Sequence, residues 1–270
     1  MSGFSTQGIL LRRIEYGDYD LIVTYFTQSM GRVSVVAKNA KKSVKRFAGA
    51  LDPFSLMHIY CTLPKKRKGL PVLDYVEMIN PFAKIRMNTA KTGYASYWLE
   101  LINSWMEQGK AQPEIFYLLS YVLDALNSGG VEKEVLSLLF QIRFMSFSGF
   151  TPNITSCGIC SAPVDEICQN RIVFDFAECV ILCDKCCSTR KNGVNPRGPG
   201  YRVSVSKGTL KQLAWINTRD IKRTGVIKFP GFAVKEGEHL LESFIPCHIG
   251  REMKSLMFLK RIRGQFQKGC

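Results

Sequence analysis

The sequence predicts an α+β fold, in which a small barrel of five β-strands precedes a helical domain that carries a cysteine-rich insert. Three observations support this prediction. The first 80 residues alternate β-rich segments with short turns, apolar residues beyond residue 82 recur at helical spacing, and two C-x2-C pairs lie between residues 157 and 186. We therefore expect one domain over 1–80 and a second over 81–270, with the insert at 154–190.

Five β-rich segments make up the N-terminal domain. They are "STQGILLRRI", "YDLIVTYFT", "RVSVVAK", "FSLMHIYCTL" and "PVLDYVEM". β-branched and aromatic residues favour strands because they pack well on a pleated surface, whereas the Gly, Pro and Asp residues between the segments favour turns. Five short strands fit a small closed barrel, with the OB-fold as the leading candidate and an SH3-like barrel as the alternative.

One connection between these strands is unusually basic. The stretch "KNAKKSVKRF" contains no acidic residue, and its cations are Lys38, Lys41, Lys42, Lys45 and Arg46. Cations on a barrel can neutralise phosphates and release condensed counterions, and nearby aromatic rings offer faces for unpaired bases. We predict that these five residues bind nucleic acid. The aromatic residues in or beside the strands belong either to this surface or to the core, and they are Tyr16, Tyr19, Tyr25, Phe26 and Phe47.

The charge of the whole chain supports a polyanionic partner. The formal net charge is +15, of which residues 1–80 contribute +6 and residues 201–270 contribute +9. No run of 18 apolar residues occurs, and the first residues lack the basic-then-apolar order of a signal peptide. The sequence therefore predicts a cytoplasmic protein.

Helical periodicity begins after "NPF" at 80–82. Tyr94, Trp98, Leu101 and Trp105 recur every three or four residues, as in an amphipathic helix. Two further helices are predicted in "PEIFYLLSYVLDAL" and "VEKEVLSLLFQIRFMSFSGF", and the second is expected to be central because its apolar residues surround it. After the turn-rich linker "GVNPRGPGYR" we expect helices to the end of the chain.

Four cysteines have the spacing of a metal site. Cys157, Cys160, Cys183 and Cys186 give C-x2-C-x22-C-x2-C, and two such turns supply the four soft, anionic ligands that tetrahedral zinc prefers. Four protein ligands leave no open coordination position, so we expect one structural zinc per chain. Cys179 and Cys187 lie close to the second pair and remain alternative ligands.

The motifs of common catalytic sites do not occur. The sequence contains no G-x-x-x-x-G-K-[ST] phosphate loop, no G-x-S-x-G elbow and no H-x-E partner of a zinc deaminase. Glu15, Asp18 and Asp20 cluster in a tight turn, where hydrogen bonds to the local backbone are the expected role. We predict a protein that is not an enzyme.

The N-terminal stretch "GILLRRIEYGDYDLIVTYFTQSMGRVSVVAKNAKKSVKRFAGALDPFS" resembles the N-terminal domain of the bacterial RecO family. The similarity rests on a strand, a Y-G-[ED]-x-D turn, a second strand, G-R and a V-A-[KR]-[GN]-[AV] basic loop in this order, and it continues to "HIGREMKSLMFLKRI" near the end. Asn39 stands where glycine is common in the family. The resemblance implies an OB-fold, a helical domain with a zinc module, and a nucleoid-associated protein of gap repair.

The resemblance also implies partners. Members of the family bind single- and double-stranded DNA, anneal complementary strands, and act with RecR to load RecA onto DNA coated by single-strand binding protein. The acidic, apolar C-terminal tail of that protein needs a hydrophobic pocket with a cationic rim. We predict this rim at Arg251, Lys254 and Arg261, around Met253, Leu256 and Met257, or else beside the helices of residues 84–147. The alternative function is a zinc-ribbon RNA-binding or transcription-associated factor.

Overall fold

The computed structural model describes residues 3–47, 49–64, 69–189, 201–221 and 228–267, without the side chains of residues 44, 45, 247 and 265–267. The chain divides into two compact units. The barrel unit comprises Met1–Ser128 and Met253–Cys270, and the cysteine unit comprises Gly129–Glu252. The predicted domains divide the chain at other positions, since the first helices after the barrel and the last helix of the chain pack with the barrel unit.

The barrel is built from β1 (Gly3–Tyr16), β2 (Asp20–Thr27), β3 (Gly31–Ala37), β4 (Leu56–Thr62) and β5 (Val72–Asn80). The strands close in the order β1-β2-β3-β5-β4, and β4 pairs back to β1. Neighbours are antiparallel except β3 and β5, which are parallel at Val36 and Val72. This is the five-stranded closed barrel of an OB-fold. The predicted fold class is confirmed, and each predicted segment matches a strand to within two residues.

Alternating side chains fill the barrel interior. In β3, Val33, Val35 and Ala37 point inward and are buried, while the residues between them are partly exposed. In β4, the side chains of Met57 and Ile59 likewise point inward and are buried. Burying an aliphatic side chain of this size contributes about 1.5–3 kcal/mol, so the barrel has an apolar core of its own.

The helices of the described ranges follow in chain order. They are α1 (Val44–Phe47), α2 (Ala83–Arg86), α3 (Thr89–Trp105), α4 (Pro113–Ser128), α5 (Lys133–Phe147), α6 (Asp184–Thr189), α7 (Lys207–Thr218), α8 (Gly231–Ile249) and α9 (Lys254–Gln267). The helices predicted around Trp98, from Pro113 and from Val131 are confirmed as α3, α4 and α5.

α3 and α9 pack closely in the barrel unit. A Cβ atom on Gly93 would come within 3.1 Å of a Leu259 methyl group, so only glycine allows this approach without movement of the neighbour. The carboxylate of Glu100 in α3 accepts hydrogen bonds from the backbone N–H groups of Lys254 (3.2 Å) and Ser255 (2.7 Å). An acidic group at these unpaired N–H groups stabilises the start of α9, so α3 fixes both the position and the first turn of the last helix.

The cysteine unit is built around α5. Every residue from Val135 to Met145 in this helix is buried, which confirms its predicted central position. The guanidinium of Arg143 donates to the carbonyl oxygen of Ile216 (2.8 Å) and to that of Arg219. It therefore satisfies carbonyl groups at the end of α7 that have no partner within the helix.

A sheet of four strands completes this unit. β6 (Asn153–Cys157), β7 (Arg171–Asp175), β8 (Val180–Leu182) and β9 (Arg202–Ser206) lie in the order β6-β8-β7-β9. The prediction that only helices follow the linker was wrong at β9. Val203 and Val205 alternate with polar residues and pair with β7, and five residues with two valines give too weak a signal without that partner.

Most of the predicted linker "GVNPRGPGYR" at 193–202 lies outside the described residues, which resume at Tyr201. The stretch "KKRK" at 65–68, between the fourth and fifth predicted strands, also lies outside them. In the ranges that are described, no helix combines the length and the apolar character that crossing a bilayer requires.

Candidate metal centre and nucleic-acid surface

Four cysteine sulfurs converge in the cysteine unit. The Sγ atoms of Cys157, Cys160, Cys183 and Cys186 all lie within 4.8 Å of one another and could hold a metal ion. The sulfurs of Cys160 and Cys183 are 3.8 Å apart. Tetrahedral zinc with Zn–S bonds of about 2.3 Å requires sulfurs about 3.8 Å apart, so the spacing fits the geometry of such an ion.

The backbone brings the two cysteine pairs together. β6 and β8 are parallel, and Cys157 at the end of β6 pairs with Ile181, two residues before Cys183. The N–H group of Gly158 donates to the carbonyl oxygen of Ile181 (2.9 Å). A Cβ atom at Gly158 would lie 2.5 Å from a Val180 methyl group, so the first turn approaches β8 only because this residue is glycine.

The thiols influence one another electrostatically. Burial raises the pKa of Cys157, but backbone N–H groups of Cys160, Cys183 and Ile159 outweigh this effect and lower that pKa to about 6. Hydrogen bonding with Cys183, together with burial and the nearby Cys157, raises the pKa of Cys186 to about 12. The site thus favours ionisation of Cys157, and the negative charge of that thiolate disfavours ionisation of Cys186. A divalent cation between the sulfurs would offset this repulsion between thiolates.

The other described cysteines have different surroundings. Cys179 is 3.2 Å from Nε2 of His248, and Cys187 is 3.9 Å from a guanidinium nitrogen of Arg202. Neither belongs to the group of four sulfurs. Cys61 is buried in the barrel core, where burial raises its pKa to about 12. The Cys247 side chain and Cys270 lie outside the described residues.

The basic loop, which we define as residues 38–46, connects β3 to β4 and folds onto the β1–β2 turn. Asn39 has a φ of 55°, a left-handed conformation that asparagine tolerates better than most residues other than glycine. Its N–H group donates to Oδ1 of Asp20 (2.8 Å), and the N–H group of Lys41 donates to the carbonyl of Tyr19 (3.0 Å). Asp20 thus accepts a backbone hydrogen bond, but from the basic loop 19 residues away, whereas hydrogen bonds to the local backbone of the turn were predicted.

The cations of the basic loop differ in their contacts. Lys38 is exposed. Nζ of Lys41 forms an ion pair with Glu15 (2.9 Å), which lowers the pKa of Glu15, and Nζ of Lys42 lies 3.5 Å from the centre of the Tyr19 ring. Nη2 of Arg46 donates to the carbonyl of Lys38 (2.7 Å). The side chain of Lys45 lies outside the described residues.

Burial separates the aromatic candidates into two groups. Tyr25, Phe26 and Phe47 are buried, so they belong to the core. Tyr16 and Tyr19 are exposed beside the basic loop. The rings that could stack on bases next to the cations are therefore these two tyrosines.

Sequence reasoning missed a second aromatic surface on β4 and β5. Tyr60 and Tyr75 stack with ring centres 4.1 Å apart. The Tyr60 hydroxyl donates to the carboxylate of Glu77 (3.1 Å), and the Thr62 hydroxyl donates to the carboxylate of Asp74 (2.8 Å). Alternation in β4 could have placed Tyr60 on the outer face, but not Tyr75, because a register shift just before Tyr75 interrupts the alternation of β5. The two carboxylates make this face less suited to phosphate than the basic loop.

α9 presents a stripe of exposed side chains at a spacing of i, i+3, i+4 and i+7. They are Lys254, Met257, Phe258 and Arg261. Met253 and Leu256, which were considered for a partner pocket, are instead buried in the barrel unit. Arg251 is exposed but belongs to the cysteine unit. Among the α9 side chains that the structure describes, the exposed apolar ones are therefore Met257 and Phe258, with a cation at either end.

Comparison with known proteins covers almost the whole chain. The family models for the N-terminal and C-terminal parts of Recombination protein O match residues 1–82 and 86–257. A protein of Desulfatibacillum aliphaticivorans called DNA repair protein RecO is 43% identical over 263 residues, covering 97% of this chain and 98% of that protein. A protein of the same name from Desulfosudis oleivorans is 39% identical over 264 residues, which cover 97% of this chain and 99% of that protein. The protein of that name from Syntrophus aciditrophicus is 34% identical over 261 residues, which cover 96% of this chain and 95% of that protein.

Proposed function

The chain belongs to the RecO family, and we propose that it is a DNA-binding recombination mediator in gap repair. In this role it binds single- and double-stranded DNA, anneals complementary strands, and acts with RecR to load RecA onto DNA coated by single-strand binding protein. The site of action is the cytoplasm, at the nucleoid.

One observation carries this proposal. The basic loop lies on the outside of an OB-fold barrel, beside the exposed rings of Tyr16 and Tyr19. Backbone phosphates are attracted to any dense group of cations, whatever the base sequence, and exposed rings add stacking for unpaired bases. The same cations would screen the repulsion between two phosphate backbones, which favours annealing.

The proposed DNA-binding residues are Lys38, Lys41, Lys42, Lys45 and Arg46. Lys38 is exposed and Lys42 covers the face of Tyr19, so each can reach a phosphate without breaking an ion pair in the described structure. Lys41 must exchange the Glu15 carboxylate for a phosphate. We therefore expect Lys38 and Lys42 to contribute more to affinity than Lys41.

The metal of the cysteine cluster is proposed to be zinc, one ion per chain, with a structural role. Its ligands would be the four cysteine sulfurs, which supply the soft donor set that zinc favours. A site closed by four protein ligands holds the polypeptide and does not activate water. The chain is accordingly proposed to act by binding and not by catalysis.

We place the docking site for the acidic tail of single-strand binding protein on α9. Met257 and Phe258 offer apolar contact there, and Lys254 and Arg261 can bond to carboxylates. This surface uses none of the lysines of the basic loop. The tail and DNA can therefore bind at the same time.

A combined gel-shift and annealing assay tests the proposed function. Purified protein should shift a labelled single strand and a labelled duplex, and it should accelerate the pairing of complementary strands. Adding the RecR protein and single-strand binding protein of the same organism tests the partners. Binding of RNA in preference to DNA without annealing, or magnesium-dependent cleavage of the DNA, would contradict the proposal.

A peptide-binding measurement tests the tail site. Fluorescence anisotropy of a labelled acidic tail peptide is measured with the wild type and with a Lys254→Glu/Arg261→Glu variant. A Lys41→Glu/Lys42→Glu variant provides the matched control in the basic loop. We expect only the α9 variant to lose peptide affinity. Loss in the loop variant alone, or in neither, would refute the assignment to α9.

A further inference from the structure

An open cleft of about 570 Å³ lies between the end of β1 and the residues that follow β3. Its apolar lining includes Ile14, Leu21, Phe47 and Leu51. Phe47 and Leu51 belong to the barrel core, whereas 42% of the Ile14 surface is exposed. Ligand sites for small molecules commonly have volumes of about 300–1,000 Å³, so the cleft is large enough for one nucleotide unit.

Two cations border this cleft, and each is paired with a carboxylate that also lines it. The guanidinium of Arg13 contacts Asp52 (3.1 Å) and donates to the carbonyl oxygen of Leu51 (2.7 Å). The ammonium of Lys41 contacts Glu15 (2.9 Å). The cleft thus combines apolar walls with two positive charges that are neutralised from within the chain.

Both ion pairs can be exchanged for phosphate contacts. The Glu15 side chain is 81% exposed and that of Asp52 is 37% exposed, so each carboxylate can turn into water without rearrangement of the core. Exposed ion pairs are weak because water and salt screen them. A DNA strand brings phosphates whose counterions are released on binding, and this release favours the exchange.

We propose that the cleft is a subsite for one unpaired nucleotide of single-stranded DNA, in which Arg13 and Lys41 hold a phosphate and Glu15 and Asp52 compete with it. The apolar wall at Ile14 contacts the base. This inference rests on the proposed function, since it names where that function places one nucleotide. It adds Arg13, which lies outside the basic loop, and it gives the two carboxylates a role that weakens DNA binding.

Only an unpaired nucleotide can use the whole subsite. A base within a duplex is stacked and paired, so it cannot contact the apolar wall while its phosphate contacts the two cations. A duplex can still reach the cations through its backbone. We therefore expect the subsite to bind single strands more tightly than duplexes, because only an unpaired base makes the contact with Ile14.

Removal of the two competing carboxylates tests the proposal. A Glu15→Gln/Asp52→Asn variant should bind a labelled single strand about threefold to tenfold more tightly than the wild type at low salt. A Glu107→Gln/Asp165→Asn variant is the matched control, since it removes the same charge from two other exposed ion pairs, with Lys110 and Lys211. We expect the control to change affinity less than twofold, because distant exposed charges are screened.

Two further variants locate the phosphate and the base. Arg13→Gln should weaken single-strand binding about fivefold. Ile14→Ser should weaken the binding of a single strand but not of a duplex. Circular dichroism and the melting temperature of each variant show whether the barrel is intact.

The outcomes separate the subsite from the proposed function. If the wild type binds no DNA, the proposed function is wrong. If the wild type binds DNA but the Glu15/Asp52 variant and its control behave alike, the function stands and the subsite is wrong. An equal effect of Ile14→Ser on single strands and duplexes would overturn the assignment to an unpaired nucleotide.

Discussion

The barrel unit and the cysteine unit hold their strands together by different chemistry. Barrel strands are 7–14 residues long and enclose an apolar core, whereas strands of the second sheet are only 3–5 residues long. Different contacts stabilise different parts of the second sheet. β7 packs on α8 through Phe174 and Phe244, whose ring centres are 5.8 Å apart. The turns at Cys157 and Cys183, which adjoin β6 and β8, meet at the sulfur cluster. If the sulfur cluster holds the proposed zinc ion, we expect its removal to release the cysteine turns and leave the barrel folded.

The largest expected effect comes from removing two ligands. A Cys157→Ser/Cys160→Ser variant should lose its zinc completely, because two remaining thiolates cannot replace a four-sulfur site worth about 10–16 kcal/mol in small zinc domains. Hydrogen exchange should then increase in β6, β8 and α6 and stay unchanged in β1–β5. Metal analysis and hydrogen-exchange mass spectrometry measure the two effects.

Cys168→Ser is the matched control, since Cys168 is exposed and lies outside the sulfur cluster. This variant should keep one zinc per chain and its native exchange pattern. Retention of zinc in the double variant would refute the site. Increased hydrogen exchange throughout the barrel would refute the claim that the barrel stays folded without the zinc site.

A core substitution should have the complementary effect on the barrel. Ile59 is fully buried, so Ile59→Ala should lower the free energy of unfolding by about 2–4 kcal/mol through lost burial and an unfilled cavity. The zinc content should stay at one per chain. Urea denaturation followed by circular dichroism measures the loss.

Leu63→Ala is the control for this substitution, since Leu63 follows β4 and is partly exposed. Its cost should stay below about 0.5 kcal/mol, as for most surface substitutions. Equal costs for Ile59→Ala and Leu63→Ala would contradict the role assigned to the barrel core.

The smallest expected effect is the titration of Glu15. The hydrogen bond and the charge of Lys41 lower the pKa of Glu15. Because the folded pKa lies below the unfolded value, the ion pair stabilises the fold above the unfolded pKa, and this contribution disappears as the pH falls through the folded pKa. NMR titration should give a lower Glu15 midpoint in the wild type than in Lys41→Gln. Equal midpoints would show that the ion pair is not formed in solution.

The regularity of each pattern explains how much of the structure could be predicted. Alternating residues in the barrel strands, such as Val33 and Val35, specify both the strand and its inner face. Spacing predicted the four cysteines that the structure brings together, but it left Cys179 and Cys187 open as alternatives for the second pair. β9 was missed because a strand of five residues depends on its partner β7.

Features that depend on distant residues could not be predicted. Met253 and Leu256 are buried in a unit where α9 packs against Gly93 of α3, which lies more than 150 positions away in the chain. Arg13 lines the cleft because Leu51 and Asp52 fold next to it. The sequence showed that these residues are apolar or charged, but their neighbours decide whether they are buried or paired.

The measurement that most directly tests the central claim is the salt dependence of single-strand affinity. Fluorescence anisotropy is recorded over a salt series for the wild type and for Lys41→Glu/Lys42→Glu/Lys45→Glu. The matched control, Lys84→Glu/Lys228→Glu/Lys235→Glu, has the same net charge as the loop variant, with the reversals at exposed lysines outside the basic loop. We expect that only the loop variant loses affinity, and that its log–log slope becomes shallower by up to about 0.7 for each phosphate contact removed. Unchanged affinity and slope in a folded loop variant that retains its zinc would contradict the assignment of DNA binding to the barrel unit.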